Sequence, residues 1–550
     1  MSRPTLTTSP RAQRETRRAR ASMFSRSVRH FGRKIEISLA GKPRARAFVK
    51  AAVVGGVGAG ISVFSQQAVC EPIPGTNGDS DNGWRLTDIL GFPTKLFGLF
   101  GETHKVNDAI LSATALKVDH ISTWKKNLKT EPSPLLEREY PLNQNFTNFD
   151  EYVLLPPPIE NPHKTEKTPH YFLRAGPREE IVFKPKEVRA AIVTCGGLCP
   201  GLNTVIQGLV RALHHTYGVD MIYGIPFGYS GVYTRDWVNL SVEKVKYCHE
   251  DGGTILGSSR GGFDLDKMMD RLEAKGINQL YVIGGDGTHR GAEKLANEAK
   301  RRGMKMVVAG IPKTIDNDIP FLDHSFGYRT SVGEAIRAIR AANTEANGAP
   351  NCIGLVKVMG RHAGFIALQA SISSRVVNCC LIPEMDVDKD KFLEFMKERL
   401  CRKNHAVVVV AEGAGATLCS KEDQLGTDKS GNPILPDVGV WLKQQIKDYM
   451  KKEGISHNLK YIDPTYMIRS VPADADDQLL CTLLANHAVH GAMAGFSGFT
   501  VGKLNHKFVY VPISEVTKKS RRVDIKSRQY SRMLLNTGQP DLTPDDKKQR

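Results

Sequence analysis

From Val188 onward, short apolar runs alternate with glycine-containing turns and amphipathic stretches of helical period. Ala190–Thr194, Met221–Ile225, Leu280–Ile283, Met306–Ala309, Cys352–Val358, Val376–Ile382 and His405–Ala411 are mostly apolar and rich in β-branched residues. Continuous rather than alternating runs of this kind predict strands buried on both faces. The first runs through Cys195-Gly196-Gly197-Leu198-Cys199-Pro200-Gly201-Leu202-Asn203 into a helical stretch reaching about His215. Strand, glycine turn and helix repeated in this order predict an α/β protein with parallel sheets flanked by helices.

The flanks read differently. The first ~50 residues are rich in Arg, Ser, Thr and Ala, with Glu15 and Glu36 nearly alone among acids, a composition of organelle transit segments. The glycine-heavy apolar run Ala51–Phe64 falls short of the ~20 residues that span a bilayer, so no stable membrane anchor is expected. A polar stretch around Pro74–Asn82 reads as a linker, and residues from about 84 to 187, with few strong strand patterns, as an extension wrapping the core. Beyond Gly502 the chain is basic and ends polar, and partial disorder is expected there. The resulting division is 1–70 targeting segment, 71–187 linker and extension, 188–502 catalytic core, and 503–550 basic tail.

Composition narrows the class. With 41% hydrophobic and 24% charged residues, the chain has material for a large globular core. The net charge of +18 sits largely at the ends, in Arg17-Arg18-Ala19-Arg20 and Lys518-Lys519-Ser520-Arg521-Arg522. The middle mixes both signs, which weakens a nucleic-acid reading, and substrates carrying several phosphates would also favour a positive cleft. Ten cysteines show no paired CxxC spacing and fit small packed residues in a reduced compartment; a regulatory role for Cys195 or Cys199 stays open.

Two stretches carry the chemistry: Gly284-Gly285-Asp286-Gly287-Thr288 and Pro312-Lys313-Thr314-Ile315-Asp316-Asn317-Asp318. Each follows a predicted strand, placing glycines, hydroxyls and carboxylates where open α/β sheets bind ligands. A glycine turn lets backbone approach phosphate, and Asp286 beside it can hold magnesium, unless it merely caps a helix starting near Arg290. Asp316 and Asp318, one residue apart, cannot share a face of an extended segment. One carboxylate can take a hydroxyl proton while the other fixes local geometry or pairs with Lys313 or an arginine, and Thr314 can donate to phosphoryl oxygens. Gly196-Gly197 with Gly201, and Gly257-Ser258-Ser259-Arg260-Gly261-Gly262, are further glycine-rich turns. Arg361 suits phosphate or sugar oxygens, Glu412 sugar hydroxyls, and Arg469 near Tyr466 a phosphate clamp. Together these features predict phosphoryl transfer from a nucleotide to an alcohol.

Taken in order, the motifs resemble those of ATP-dependent 6-phosphofructokinases, and GGLCPGLN, YMIRS and the long N-terminal region resemble the plant and algal type. The resemblance covers about residues 150–505. It implies two Rossmann-like lobes with parallel sheets and a cleft between them, and a homo-oligomer, with a homotetramer favoured. It also implies that ATP binds Gly197, Arg260, Gly261, Gly285, Asp286, Gly287 and Thr288, with Mg2+ on Asp286. Fructose 6-phosphate would meet Thr314, Ile315 and Asp316, Asp316 accepting the proton of the C1 hydroxyl. Met359, Gly360, Arg361, Glu412, Tyr466, Met467, Ile468 and Arg469 would complete the sugar-phosphate site, with Asp316, Thr314 and Arg361 catalytic. A plastid location is favoured, with mitochondrion or cytoplasm as alternatives.

The chain departs from the bacterial pattern. Lys313 replaces a glycine and is characteristic of pyrophosphate-using relatives, whereas Gly287 stands where those relatives usually carry Asp. Cys352 and Lys460 fall at or near positions of arginines that bacterial enzymes share between subunits, and Tyr466 stands at a histidine position. A pyrophosphate-dependent enzyme and a non-catalytic regulatory subunit are the alternatives; Asp286 and Asp316, both present, oppose the latter. NAD and lipid kinases share GGDG but lack PKTIDND, MGRHAG and YMIRS.

Overall fold

The computed structural model describes residues 114–137, 146–155, 170–419 and 436–545. The targeting segment, the Ala51–Phe64 run and the linker expected before residue 83 lie outside these residues.

Two sheets organise the described chain. The larger has ten strands, running across the sheet as Thr114–Leu116, His170–Arg174, Lys507–Pro512, Phe499–Leu504, Val307–Pro312, Gln279–Gly284, Arg189–Thr194, Met221–Ile225 and Val238–Asn239, with Tyr152–Leu155 paired to His170–Arg174. Its centre, from Phe499–Leu504 to Met221–Ile225, is parallel. The smaller sheet is parallel throughout, in the order Cys379–Leu381, His405–Ala411, Cys352–Val358 and Asn458–Ile462. Every residue of Gln279–Gly284 and Val307–Pro312 is buried, the environment their unbroken apolar character demands.

The chain crosses between the lobes repeatedly. The helix Tyr328–Asn347 leads into the second lobe and packs on its strand Cys352–Val358. The helix Ala475–Met493, capped by Asp474 accepting the Asp477 N–H, returns and packs on Leu202–Arg211. Helix and strand positions match the sequence pattern closely in residues 189–411. The expected strand Val376–Ile382 is shorter, Cys379–Leu381, because Arg375 takes a left-handed conformation (φ 61°) that ends the preceding helix.

The chain beyond Gly502 differs from the expected tail. Lys507–Pro512 enters the large sheet antiparallel to Phe499–Leu504 and to His170–Arg174. Arg528–Thr537 forms a helix capped by Ser527 that packs on Phe365–Ser374. Val509, Tyr510, Val511, Met533 and Leu542 are all buried. The apolar positions are spaced among basic residues, so the charge masked a strand with an inward face and an amphipathic helix. The N-terminal extension likewise supplies sheet strands rather than only wrapping the core.

Candidate active site

The turns at four parallel strand ends line one cavity of about 1050 Å³ between the two lobes. Cys195–Cys199 follows Arg189–Thr194, Gly285–Thr288 follows Gln279–Gly284, Lys313–Asp318 follows Val307–Pro312, and Met359–His362 follows Cys352–Val358. Gly197, Arg260, Gly261, Gly285, Asp286, Gly287, Thr288, Thr314, Ile315, Asp316, Met359, Arg361 and Arg469 all line it.

One wall is built for anions. The helix Asp286–Arg301 begins at Asp286, with Gly285 as N-cap and no side chain capping it. Asp286 is therefore its first residue rather than the cap of a helix starting near Arg290. The open first-turn amides and the positive helix end face the cavity. A Cβ placed on Gly287 would meet nothing within 4 Å, so this wall is open there. Opposite, a Cβ on Gly197 would lie 3.7 Å from both Arg260 Nη2 and Arg469 Nη1, so the glycine turn is bracketed by two guanidinium groups. Gly201, left-handed at φ 96°, opens the helix Leu202–Arg211, but a Cβ there would strike Cys481 Sγ at 2.5 Å; its reason is packing. Lys313 is almost wholly buried, and burial lowers its pKa, with Arg260 pushing the same way and Asp316 opposing.

The carboxylates face a different balance. Asn317 is left-handed (φ 57°), so the Asp316–Asp318 segment is not extended and both carboxylates reach the same cavity. This corrects the expectation drawn from strand alternation. Thr314 Oγ1 donates to Asp318 Oδ1 at 2.9 Å and accepts the Asp316 N–H at 3.2 Å. Its hydroxyl proton is thus committed to Asp318 rather than directed at a phosphoryl group. Asp316 Oδ2 accepts the Arg361 N–H at 3.2 Å, joining the two lobes, whereas Oδ1 is buried with no hydrogen-bond partner among the described residues. Burial, then Asp318 and Glu412, push the Asp316 carboxyl far above the usual carboxylate range, against the Arg361 N–H and Lys313. Burial also raises Asp318, with the Thr314 hydroxyl opposing.

Five expected residues do not line the cavity. Gly360, at φ 128°, keeps its loop close: its carbonyl accepts the Gly413 N–H, and a Cβ would meet Ala363 O at 2.6 Å. Glu412 is not part of the lining, and its carboxyl is raised by burial and opposed by Arg361 and Lys357. Ile468 is fully buried, while Tyr466 and Met467 are 71% and 68% exposed. Tyr466 touches the cavity lining only through Arg469, whose guanidinium lies 4.7 Å from the Tyr466 ring centroid. Conversely, Asp318, His362, Val516, Lys519, Ser520 and Arg522 line the cavity. The last three sit in the charge run that the sequence pattern assigned to a tail.

No group of three metal-ligating side chains occurs among the described residues. Magnesium takes one or two carboxylates and completes its shell with phosphate and water, which suits Asp286 at the cavity wall. Cys195 and Cys199 line the cavity as thiols; burial pushes Cys195 up to about 12 and Cys199 higher still.

Glycine turns, an uncapped helix N-terminus and a buried carboxyl at the strand ends of two α/β lobes define a cleft suited to phosphoryl transfer. The sequence matches the phosphofructokinase family over residues 189–492, and the chain belongs to that family. It is 48% identical over 436 residues to ATP-dependent 6-phosphofructokinase 7 of Arabidopsis thaliana, covering 78% of this chain and 89% of that one. To ATP-dependent 6-phosphofructokinase 4, chloroplastic, of Arabidopsis thaliana it is 47% identical over 433 residues, 77% of this chain and 81% of the other. A crystal structure of a pyrophosphate-dependent phosphofructokinase from Marinobacter aquaeolei shares the fold with a TM-score of 0.54 at 20% identity, over 65% of this chain and 93% of that one.

Proposed function

We propose that this chain transfers the γ-phosphoryl group of ATP to the C1 hydroxyl of fructose 6-phosphate, giving fructose 1,6-bisphosphate and ADP in glycolysis. The observation that carries the reading is Asp316: a buried carboxylate with one oxygen unpartnered among the described residues, beside guanidinium groups and a helix N-terminus. Asp316 takes the hydroxyl proton, the sugar oxygen bonds to the γ-phosphorus, and the bond to the β,γ-bridging oxygen breaks as ADP leaves. Arg260, Lys313, Arg361 and Arg469 offset charge on the phosphoryl oxygens. Asp286 would hold Mg2+, which when bound neutralises the β and γ oxygens.

Lys313 favours a second donor, pyrophosphate, because a buried cation at this place can hold a terminal phosphate without a nucleoside. Gly287 supports ATP, since the space beyond it is open. Purified protein given fructose 6-phosphate and either ATP or pyrophosphate tests the choice: faster turnover with pyrophosphate sinks the ATP reading. From the family resemblance we also infer a homotetramer, and from the chloroplastic relative a plastid location, checked by light scattering and by imaging of a fluorescent fusion.

A further inference from the structure

A strap of chain lying beyond the family-matched span crosses the cleft. It leaves the first lobe after the short helix Ile513–Val516, which packs on Asp286–Arg301, and ends in the helix Arg528–Thr537 on the second lobe. Arg521 and Val523 pin it. The Arg521 N–H donates to Asp318 O at 2.6 Å and Arg521 Nη1 donates to Leu322 O at 2.9 Å, both on the first lobe. The same guanidinium lies 5.0 Å from the ring centroid of Phe365, on the second. The Val523 N–H donates to Glu384 Oε1 at 2.8 Å, and both Glu384 oxygens lie 3.1 Å from the Gly364 N–H they accept, at the end of the MGRHAG turn.

Between and beside these pins, Lys519, Ser520 and Arg522 line the cavity. Ser520 Oγ donates to Asp286 Oδ2 at 3.4 Å. Their neighbour Lys518 does not line the cavity; it pairs with Glu515 at 2.6 Å. The strap thus holds Lys519 and Ser520 on the side of Asp286 and the helix N-terminus, where a nucleotide polyphosphate would lie, and Arg522 along the same cavity with Glu384 among its charged neighbours.

We propose that Lys519 and Arg522 bind the polyphosphate of the nucleotide, and that Ser520 is a positioning residue holding Asp286 in the orientation that receives the metal. This deepens the proposed function and rests on it. The strap also makes nucleotide binding depend on residues that join the two lobes, so a bound polyphosphate would tighten that link.

Calorimetric titration of the full chain with Mg·ATP, alongside steady-state kinetics, tests this. Lys519→Met and Arg522→Met should each weaken Mg·ATP about tenfold and the double variant about a hundredfold, the scale of a lost charge-assisted contact. The KM for fructose 6-phosphate should stay within about twofold, and Lys518→Met should match wild type, as an exposed pair contributes little. Ser520→Ala should raise the magnesium needed for half-maximal Mg·ATP binding, with Ser520→Thr restoring it. A double variant that melts like wild type and binds Mg·ATP within twofold of it overturns the strap proposal while leaving the donor reading intact. A loss confined to the fructose 6-phosphate KM also overturns it. Wild-type protein that binds no Mg·ATP overturns both.

Discussion

Thr314 gives its hydroxyl proton to Asp318 at 2.9 Å, and this one bond separates the roles of two carboxylates that share a cavity. Asp318 Oδ1 thereby has a donor, which opposes the upward push that burial gives its carboxyl. Asp316, held at Oδ2 by the Arg361 N–H, keeps a buried oxygen without a partner among the described residues. A buried acceptor left unmatched costs stability, and here the mismatch sits where a substrate hydroxyl would supply the missing donor.

Asp316→Asn should therefore lower kcat by ~10²–10⁴-fold, the range of general base catalysis, with little change in substrate KM. The same variant should melt at a higher temperature than wild type. The folded-state pKa of Asp316 is raised, so folding retains a proton that the unfolded chain releases above about pH 4. The stability cost grows as pH rises from there toward the folded pKa, and the gain from Asn should grow with it. Near-wild-type turnover, or a lower melting temperature at every pH, would exclude this role.

The acid limb of kcat/KM against pH should lie well above the ordinary carboxylate range, with activity rising as Asp316 loses its proton. Asp318→Asn removes a like charge while leaving an oxygen for Thr314 to donate to. Its acid limb should move to lower pH. An unmoved limb in that variant would show that the titrating group is not Asp316.

Asp286→Ala should impair turnover far more at low than at high magnesium, because the carboxylate helps place the ion. Magnesium titrations of the two proteins decide it. Identical half-saturation would leave Asp286 with only its favourable charge at the helix start.

The parallel strands and the turns at their ends were legible because both follow local rules: unbroken apolar runs, then glycine with a carboxylate. Asp286, Asp316 and Arg361 were found that way. What escaped depended on distance in the chain or on one backbone angle. The left-handed Asn317 turned Asp318 into the cavity, which no strand periodicity conveys. Lys519, Ser520 and Arg522 reach the site from beyond residue 512, and a basic run reads the same whether it is solvated or folded over a phosphate site. Tyr466 and Met467, placed at the site by motif, lie outside the cavity: on that short helix Ile468 turns into the core and Arg469 lines the cavity.

Gly287→Asp tests donor choice. The open space at Gly287 and its place in the first helical turn mean that Asp should fold there without strain. Near the α-phosphate, a second negative charge at ~4 Å costs on the order of 4 kcal/mol at an effective dielectric near 20, about two to three decades of affinity. ATP-dependent turnover should fall on that scale with the melting temperature unchanged, and Lys313 should then permit weak use of pyrophosphate. An ATP KM equal to wild type in this variant contradicts the assignment.

The insertion of Lys507–Pro512 beside His170–Arg174 also governs how the chain is made. On the ribosome, Leu173 and Arg174 emerge long before Tyr510 and Val509, the residues that pair with them. The parallel strands from 189 to 312 can assemble as they appear, but the side of His170–Arg174 that faces Lys507–Pro512 must wait for that strand, with only Thr114–Leu116 and Tyr152–Leu155 to pair with before then. Chains cut before Lys507 would keep that pairing edge open, a template for association with other chains.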